Sequence, residues 1–209
     1  MIDYTAVAVT CFMENCILLW NRENRKGVAV DPGGDFQVIR KNVQSRGIEL
    51  QAVLLTHGHL DHIGAVRECA EFFHIPVIGP SEADQFWLQS TRRQSLMLNL
   101  PEVPPLQPEK YLADGEIINF DGLSIRALHT PGHTPGHMCY YIREAELCLT
   151  GDLIFCGSVG RTDFPGGDLD DLLKSIREKI MVLPDNTVLL PGHGPATTVA
   201  GERESNPFI

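Results

Sequence analysis

The chain has 209 residues, enough for one core of ordinary size at ~100 to 200 residues per domain. Hydrophobic residues make up 43% and charged residues 21%, a composition that folds and that excludes a chain disordered for want of apolar side chains. Seventeen Lys and Arg against 27 Asp and Glu give a net charge of -10, so the surface repels phosphate backbones and anionic lipid, and neither nucleic acid nor a membrane is expected as a partner.

Short strands are predicted at Tyr4 to Val9, Cys16 to Trp20 and Gly27 to Val30, the last ending at the turn Asp31-Pro32-Gly33-Gly34. A helix follows from Phe36 to Ser45, stopped by Gly47. The continuous apolar run Ala52-Val53-Leu54-Leu55 suits a strand covered on both faces, and Thr56 then begins a loop dense in histidine. Val66, Cys69, Ala70 and Phe73 repeat at helical spacing. Ser81-Glu82-Ala83-Asp84 has the pattern of a capping box opening a helix to about Leu98, and Pro101 to Pro108 forms a stiff connector that can separate two half-domains. Strands at Ser124 to Leu128, Met138 to Ile142 and Glu146 to Leu149, a helix from Asp170 to about Val182 and a strand at Thr187 to Leu190 complete a layered α/β pattern across 1–209.

No apolar run approaches the ~20 residues that span a bilayer. The start Met1-Ile2-Asp3-Tyr4 lacks the basic and apolar regions of a secretion signal, so a cytoplasmic location is expected. The six cysteines, Cys11, Cys16, Cys69, Cys139, Cys148 and Cys156, form no Cys-x-x-Cys pair and read mainly as small buried hydrophobes.

Thr56-His57-Gly58-His59-Leu60-Asp61-His62 brings three imidazoles and a carboxylate together, with Gly58 expected to let the backbone turn tightly. Nitrogen and carboxylate oxygen without thiolate suit zinc, iron or manganese. A second histidine cluster, His129-Thr130-Pro131-Gly132-His133-Thr134-Pro135-Gly136-His137, follows a strand, Asp152 ends another, and His193 ends the last. Ligand groups that recur at strand ends are the pattern by which α/β sheets build sites, because loop backbone there is free to present side chains to one crevice. The donors divide into His57, His59 and His133 for one metal and Asp61, His62 and His193 for a second, with Asp152 as a bridge. His74 is read as an ordinary surface or packed residue, while His129 and His137 have two readings, support behind a ligand or, the favoured one, a satisfied loop residue.

The ordered set Thr-His-x-His-x-Asp-His, Gly-His, Gly-Asp and Gly-His resembles the metallo-β-lactamase superfamily over nearly the whole chain. The resemblance implies a four-layer αβ/βα sandwich with a binuclear site of divalent ions, zinc first and iron or manganese as alternatives. Thr130 to His137 and Gly160-Arg161-Thr162-Asp163-Phe164-Pro165-Gly166-Gly167-Asp168 are similar to stretches in the glyoxalase II group of hydroxyacylglutathione hydrolases, particularly its compact bacterial type; the second string is also similar to one in persulfide dioxygenases. The expected reaction is hydrolysis of a small-molecule thioester, S-D-lactoylglutathione or a relative, in methylglyoxal detoxification. A metal-bridging hydroxide is the expected nucleophile, with Asp61 and Asp152 as catalytic carboxylates. A thiolate with a thiol pKa of ~8.5 leaves without a dedicated acid, which favours thioesters over β-lactams. The alternatives are a mononuclear iron persulfide dioxygenase and a lactone or ester hydrolase of the same fold.

The sequence runs 16 residues past His193, without the C-terminal helical domain by which longer glyoxalase II enzymes hold glutathione, so weak discrimination of the thiol is expected. Arg161 stands where that group places a basic substrate-contacting residue, whereas Asp163 stands in place of a tyrosine. Arg161 therefore has two readings, a substrate contact or an ion pair with Asp163 or Asp168.

Overall fold

A computed structural model describes residues 1–209. In chain order the elements are β1 (Ile2–Val9), β2 (Glu14–Asn21), β3 (Lys26–Val30), α1 (Phe36–Arg46), β4 (Glu49–Leu54), α2 (Leu60–Ile63), α3 (Val66–Phe73), β5 (Val77–Ile78), α4 (Gln85–Gln89) and α5 (Thr91–Leu98). The second half contains β6 (Ile117–Phe120), β7 (Leu123–His129), β8 (Met138–Ile142), β9 (Leu147–Gly151), β10 (Ile154–Phe155), β11 (Ser158–Val159), α6 (Leu169–Ser175), β12 (Val188–Pro191), β13 (Thr197–Thr198) and α7 (Val199–Ser205).

One sheet runs β1-β2-β3-β4-β5 and the other β13-β12-β9-β8-β7-β6, while β10 and β11 form a separate hairpin. The period-two alternation of a strand decides which layer each residue joins. In β8, Met138, Tyr140 and Ile142 point between the sheets, whereas Cys139 and Tyr141 point to the outer layer holding α6. In β4, Ala52 and Leu54 face the other sheet while Val53 packs with Ile39, Val43 and Val66 of the helices on the outer side. Three apolar layers result: one under α1 and α3, one between the sheets, and one under α6. This is the four-layer αβ/βα arrangement. Buried Cys16, Cys69, Cys139 and Cys148 sit in it as small hydrophobes, and Cys11 and Cys156 are exposed.

The helix expected from Ser81 to Leu98 is broken. Residues 82–84 form a tight 3-10 turn, and α4 and α5 are separated at Ser90 (φ -97°, ψ 16°). There the Ser90 hydroxyl donates to Trp87 O at 3.0 Å and the Gln94 amide donates to the same oxygen at 3.0 Å, so side chains take over a carbonyl that a continuous helix would have used. Ser81 makes no side-chain cap, and the Asp84 carboxylate turns inward instead. The helix after Asp170 begins at Leu169, capped by Asp168 accepting from Asp171 N at 3.0 Å, and relaxes into a π turn over Ile176–Ile180. The proline-rich stretch runs back past α4, where Leu106 N donates to Leu88 O at 3.0 Å, to the edge of the first sheet, where Glu109 N donates to Val77 O at 2.9 Å. No helix is long and apolar enough to cross a membrane.

Candidate metal centre and active site

The chain delivers its polar groups from strand ends. After β4, Leu55 to Gly58 run extended into His59, which stands at the N-terminus of the one-turn helix α2, and that turn carries Asp61 and His62. His133 comes from the β7–β8 loop, Asp152 from the residue after β9, and His193 from just beyond β12. The parallel pairing of β9 with β12 brings Gly151 beside Pro191, so Asp152 and His193 leave the sheet on the same edge.

All seven residues expected as ligands converge. His57 Nε2 and His133 Nε2 lie 3.1 and 2.9 Å from His59 Nδ1, and these three nitrogens form one cluster. Asp61, His62 and His193 form a second, with His193 Nε2 3.4 Å from Asp61 Oδ2. Asp152 lies between them: its Oδ2 is 3.6 Å from His133 Nε2 and 3.8 Å from His193 Nε2, and its Oδ1 is 3.4 Å from His62 Nε2.

The far sides of the rings leave the inward nitrogens available as ligand atoms. His133 Nδ1 donates to Arg161 O at 2.7 Å, His193 Nδ1 to Phe12 O at 3.1 Å, and His62 Nδ1 to Asp31 Oδ2 at 3.0 Å. A neutral imidazole carries one N–H, so giving it to these acceptors aims Nε2 at the centre as the atom that a cation would take, in place of its proton where the ring is charged. His57 Nδ1 meets Thr56 Oγ1 at 2.9 Å, and that hydroxyl donates to Asp31 Oδ2 at 2.5 Å. Buried His62 Nε2 and Asp152 Oδ1 have no hydrogen-bond partner. Convergent lone pairs and orphaned buried polar atoms are costly unless a cation satisfies them, and the nitrogen-plus-carboxylate donor set fits divalent metals.

Electrostatics separate the two groups. Burial, reinforced by neighbouring imidazoles, holds His57 and His59 neutral, the latter down to about 3, and burial lowers His133 as well. Burial also opposes charge on His62, yet Asp152 and Asp31 outweigh it and raise the ring well above its ordinary value. His193 is raised in the same way, by Asp61 and Asp152 against burial. Burial opposes charge on Asp152 too, but His62, His133 and His193 hold it far below the carboxylate range.

Three further residues support the ligands from behind. Asp31, read only as a turn residue, orients a ring of each cluster through the two bonds just given and also accepts from Thr56 N at 2.8 Å. It too stands at the end of an apolar strand, which is the signal that marks it. His137 takes the supporting role that was the less favoured of its two readings: it is fully buried, receives the Asp152 amide on Nε2 at 3.1 Å and faces Thr130 Oγ1 at 2.9 Å, so it fixes the backbone of Asp152. Asp84 accepts from Gly58 N at 2.9 Å, Thr134 Oγ1 at 2.8 Å and Gly136 N at 2.6 Å, tying the His57–His59 segment to the His133 loop. Burial lifts its carboxyl to about 6 against these donors. His129 gives its Nε2 to Pro135 O at 2.9 Å, and His74 closes α3 outside the centre with φ 56°.

Glycine at position 58 has a different cause from the one expected. Its φ is not in the left-handed region; instead a Cβ would lie 2.6 Å from Trp87 Cβ, so close approach to α4 requires the missing side chain. At Gly192 a Cβ would lie 2.4 Å from Asp152 Oδ1 and 2.6 Å from His62 Cε1.

Arg161 adopts the ion-pair reading while lining the cavity. Its Nε and Nη2 donate to Asp163 at 2.7 and 2.6 Å, and its guanidinium carbon lies 4.2 Å from the Phe164 ring centre. The cavity has a volume of about 600 Å³, with His59, Asp61, His133, Asp152 and His193 at its floor. Its walls are largely apolar.

A sequence model of the metallo-beta-lactamase superfamily matches residues 9–193. A hydroxyacylglutathione hydrolase, GloC, of Haemophilus influenzae is 39% identical over 204 residues, covering 97% of this chain and 96% of the relative. The crystal structure of BLEG-1 B3 metallo-beta-lactamase superimposes with a TM-score of 0.92 at 33% identity, covering 99% of each chain. The crystal structure of TTHA1623 in a di-iron-bound form gives 0.88 at 34%, covering 98% of this chain and all of that one.

Proposed function

The chain belongs to the metallo-β-lactamase superfamily and is a metallo-hydrolase of that kind, and from this premise we propose that it hydrolyses thioesters, with S-D-lactoylglutathione or a related hydroxyacylglutathione as the reference substrate. Asp152, set between the two clusters, carries the reading of the site. His57, His59 and His133 would hold one divalent ion and Asp61, His62 and His193 a second, with Asp152 shared. Zinc and iron both suit the donors, and the di-iron-bound form of TTHA1623 supports iron as an occupant.

Metal ions held by these residues would supply a water of pKa near neutrality and a Lewis acid for the carbonyl. The chain's own groups do the rest. Asp61, kept ionised by His193 and His62 despite its burial, accepts a proton at Oδ2. Asp31, Thr56 and the carbonyls of Arg161 and Phe12 hold the imidazoles in one tautomer. The apolar walls exclude water from the acyl group.

The leaving group follows from what the cavity lacks. Apart from the proposed ligands, its only ionisable residues are Arg93 and Arg161, and neither is an acid of useful strength near pH 7. A thiolate departs without one, whereas an amide nitrogen does not. This supports a thioester over a β-lactam.

The test is metal analysis of the purified protein with three parallel assays: S-lactoylglutathione hydrolysis, persulfide-dependent oxygen uptake and β-lactam hydrolysis. Thioester turnover that is lost on chelation and restored by zinc or iron is expected. Oxygen uptake by a protein holding one iron per chain, or β-lactam turnover exceeding that of the thioester, overturns the reading.

A further inference from the structure

Three arginines lie near the cavity, and the structure distinguishes them. Arg92 donates its Nε to Glu102 at 2.6 Å and does not line the cavity. Arg161 lines it but is held by Asp163 through two bonds and lies over Phe164, so its charge is balanced. Arg93, on α5, lines the cavity and makes neither a hydrogen bond nor an ion pair. It is the unbalanced cation of the walls.

The surroundings of Arg93 are apolar. Phe86 and Trp87 of α4, Met97 and Leu98 of α5, with Val159 and Phe164 opposite, line the same space. Phe86, Met97 and Leu98 are 43%, 70% and 41% exposed, although large apolar side chains on a helix ordinarily find a core to cover them. Exposed apolar groups gathered around one cavity mark a surface that a ligand covers. Arg93 is exposed, so a carboxylate can reach its guanidinium, and the planar fork of that group matches carboxylate geometry.

We propose that Arg93 and the apolar wall of α4 and α5 form a substrate-selecting subsite, which takes a ligand with an apolar body and a carboxylate at its end. This rests on the thioesterase reading for the identity of the reaction and adds the class of substrate: an anionic, amphipathic thioester. Arg93 selects and positions; it does not touch the reacting atoms.

The test uses the metal-loaded protein and ligands that cannot be hydrolysed. Calorimetry would compare 3-(hexylthio)propanoate with its primary amide and with 3-(methylthio)propanoate, on wild type, Arg93→Gln and Arg92→Gln. In wild type the hexyl acid is expected to bind at least 10-fold more tightly than the hexyl amide and at least 10-fold more tightly than the methyl acid. Arg93→Gln should weaken the hexyl acid about 10-fold and the amide less than 2-fold, while Arg92→Gln changes neither. Equal binding of acid and amide, equal binding of hexyl and methyl acids, an acid that ignores Arg93→Gln, or no binding overturns the subsite. Assays of thioester hydrolysis on the same preparations keep the two readings apart. The binding contrast without hydrolysis overturns the reaction alone; hydrolysis without the contrast overturns the subsite alone.

Discussion

Asp31 Oδ2 accepts from His62 Nδ1 at 3.0 Å and, at 2.5 Å, from the Thr56 hydroxyl that stands against His57 Nδ1, so one buried carboxylate orients a ring in each of the two clusters. Neither cluster is independent of the other. Outer partners of this kind typically contribute 10- to 100-fold in metal affinity. Asp31→Ala is therefore expected to weaken both proposed metal positions by roughly that factor, read by competition with a chromophoric chelator. Loss of one ion with the other unchanged would contradict the shared orientation.

Asp152 is the carboxylate within 4 Å of rings from both clusters. Asp152→Ala should abolish binuclear occupancy and hydrolysis together, whereas His74→Ala, a change at the exposed end of α3, should leave metal content and turnover at wild-type values. Atomic absorption and a thioester assay on the same samples check this. Full turnover by the Asp152 variant would show that the bridge is assigned to the wrong residue.

Asp84 links pH to stability. Its folded carboxyl titrates at about 6 against an ordinary 3.8, so the folded chain binds this proton more tightly than the unfolded chain. The stabilisation is complete below about 3.8 and is lost as pH rises through about 6. Between pH 4.5 and 7 linkage gives ~2 kcal/mol for such a group. Urea denaturation of metal-free wild type and Asp84→Asn should therefore show wild type losing about that much relative to the variant over this range. A pH-independent difference would mean that burial does not dominate at Asp84.

Gly192 tests packing at the centre. Alanine there sets a methyl 2.4 Å from Asp152 Oδ1 and 2.6 Å from His62 Cε1, and overpacking of this kind typically costs ~1–3 kcal/mol. Gly192→Ala is expected to lower metal affinity more than it lowers the stability of the metal-free chain. Wild-type metal affinity in the variant would exclude the clash as drawn.

Most strands were legible because β-alternation and bounding turns are local: β8 spans Met138–Ile142 as expected, β3 starts one residue earlier than expected, and β12 is shifted by one residue at each end. Two-residue strands such as β5, β10, β11 and β13 carry no period long enough to read. The break at Ser90 was invisible for another reason: the side chains that compete for Trp87 O are Ser90 itself and Gln94, and only the folded turn shows that they do.

The sequence by itself set out the candidate donors. Residue types and their recurrence at strand ends named His57, His59, Asp61, His62, His133, Asp152 and His193 before any geometry, since a donor must be of the right type wherever the chain puts it. What tertiary structure decided was everything that depends on separations of tens of residues. Asp31 reaches Thr56 and His62, Asp84 reaches Gly58 and Thr134, and His137 reaches Asp152, each across a fold in which the partners come from different loops and turns. The same holds for the charges. Arg92, Arg93 and Arg161 are alike as letters, and only the positions of Glu102 and Asp163 leave Arg93 unpaired at the cavity, because neutralisation requires an acid within a few ångströms, and the fold alone sets that distance.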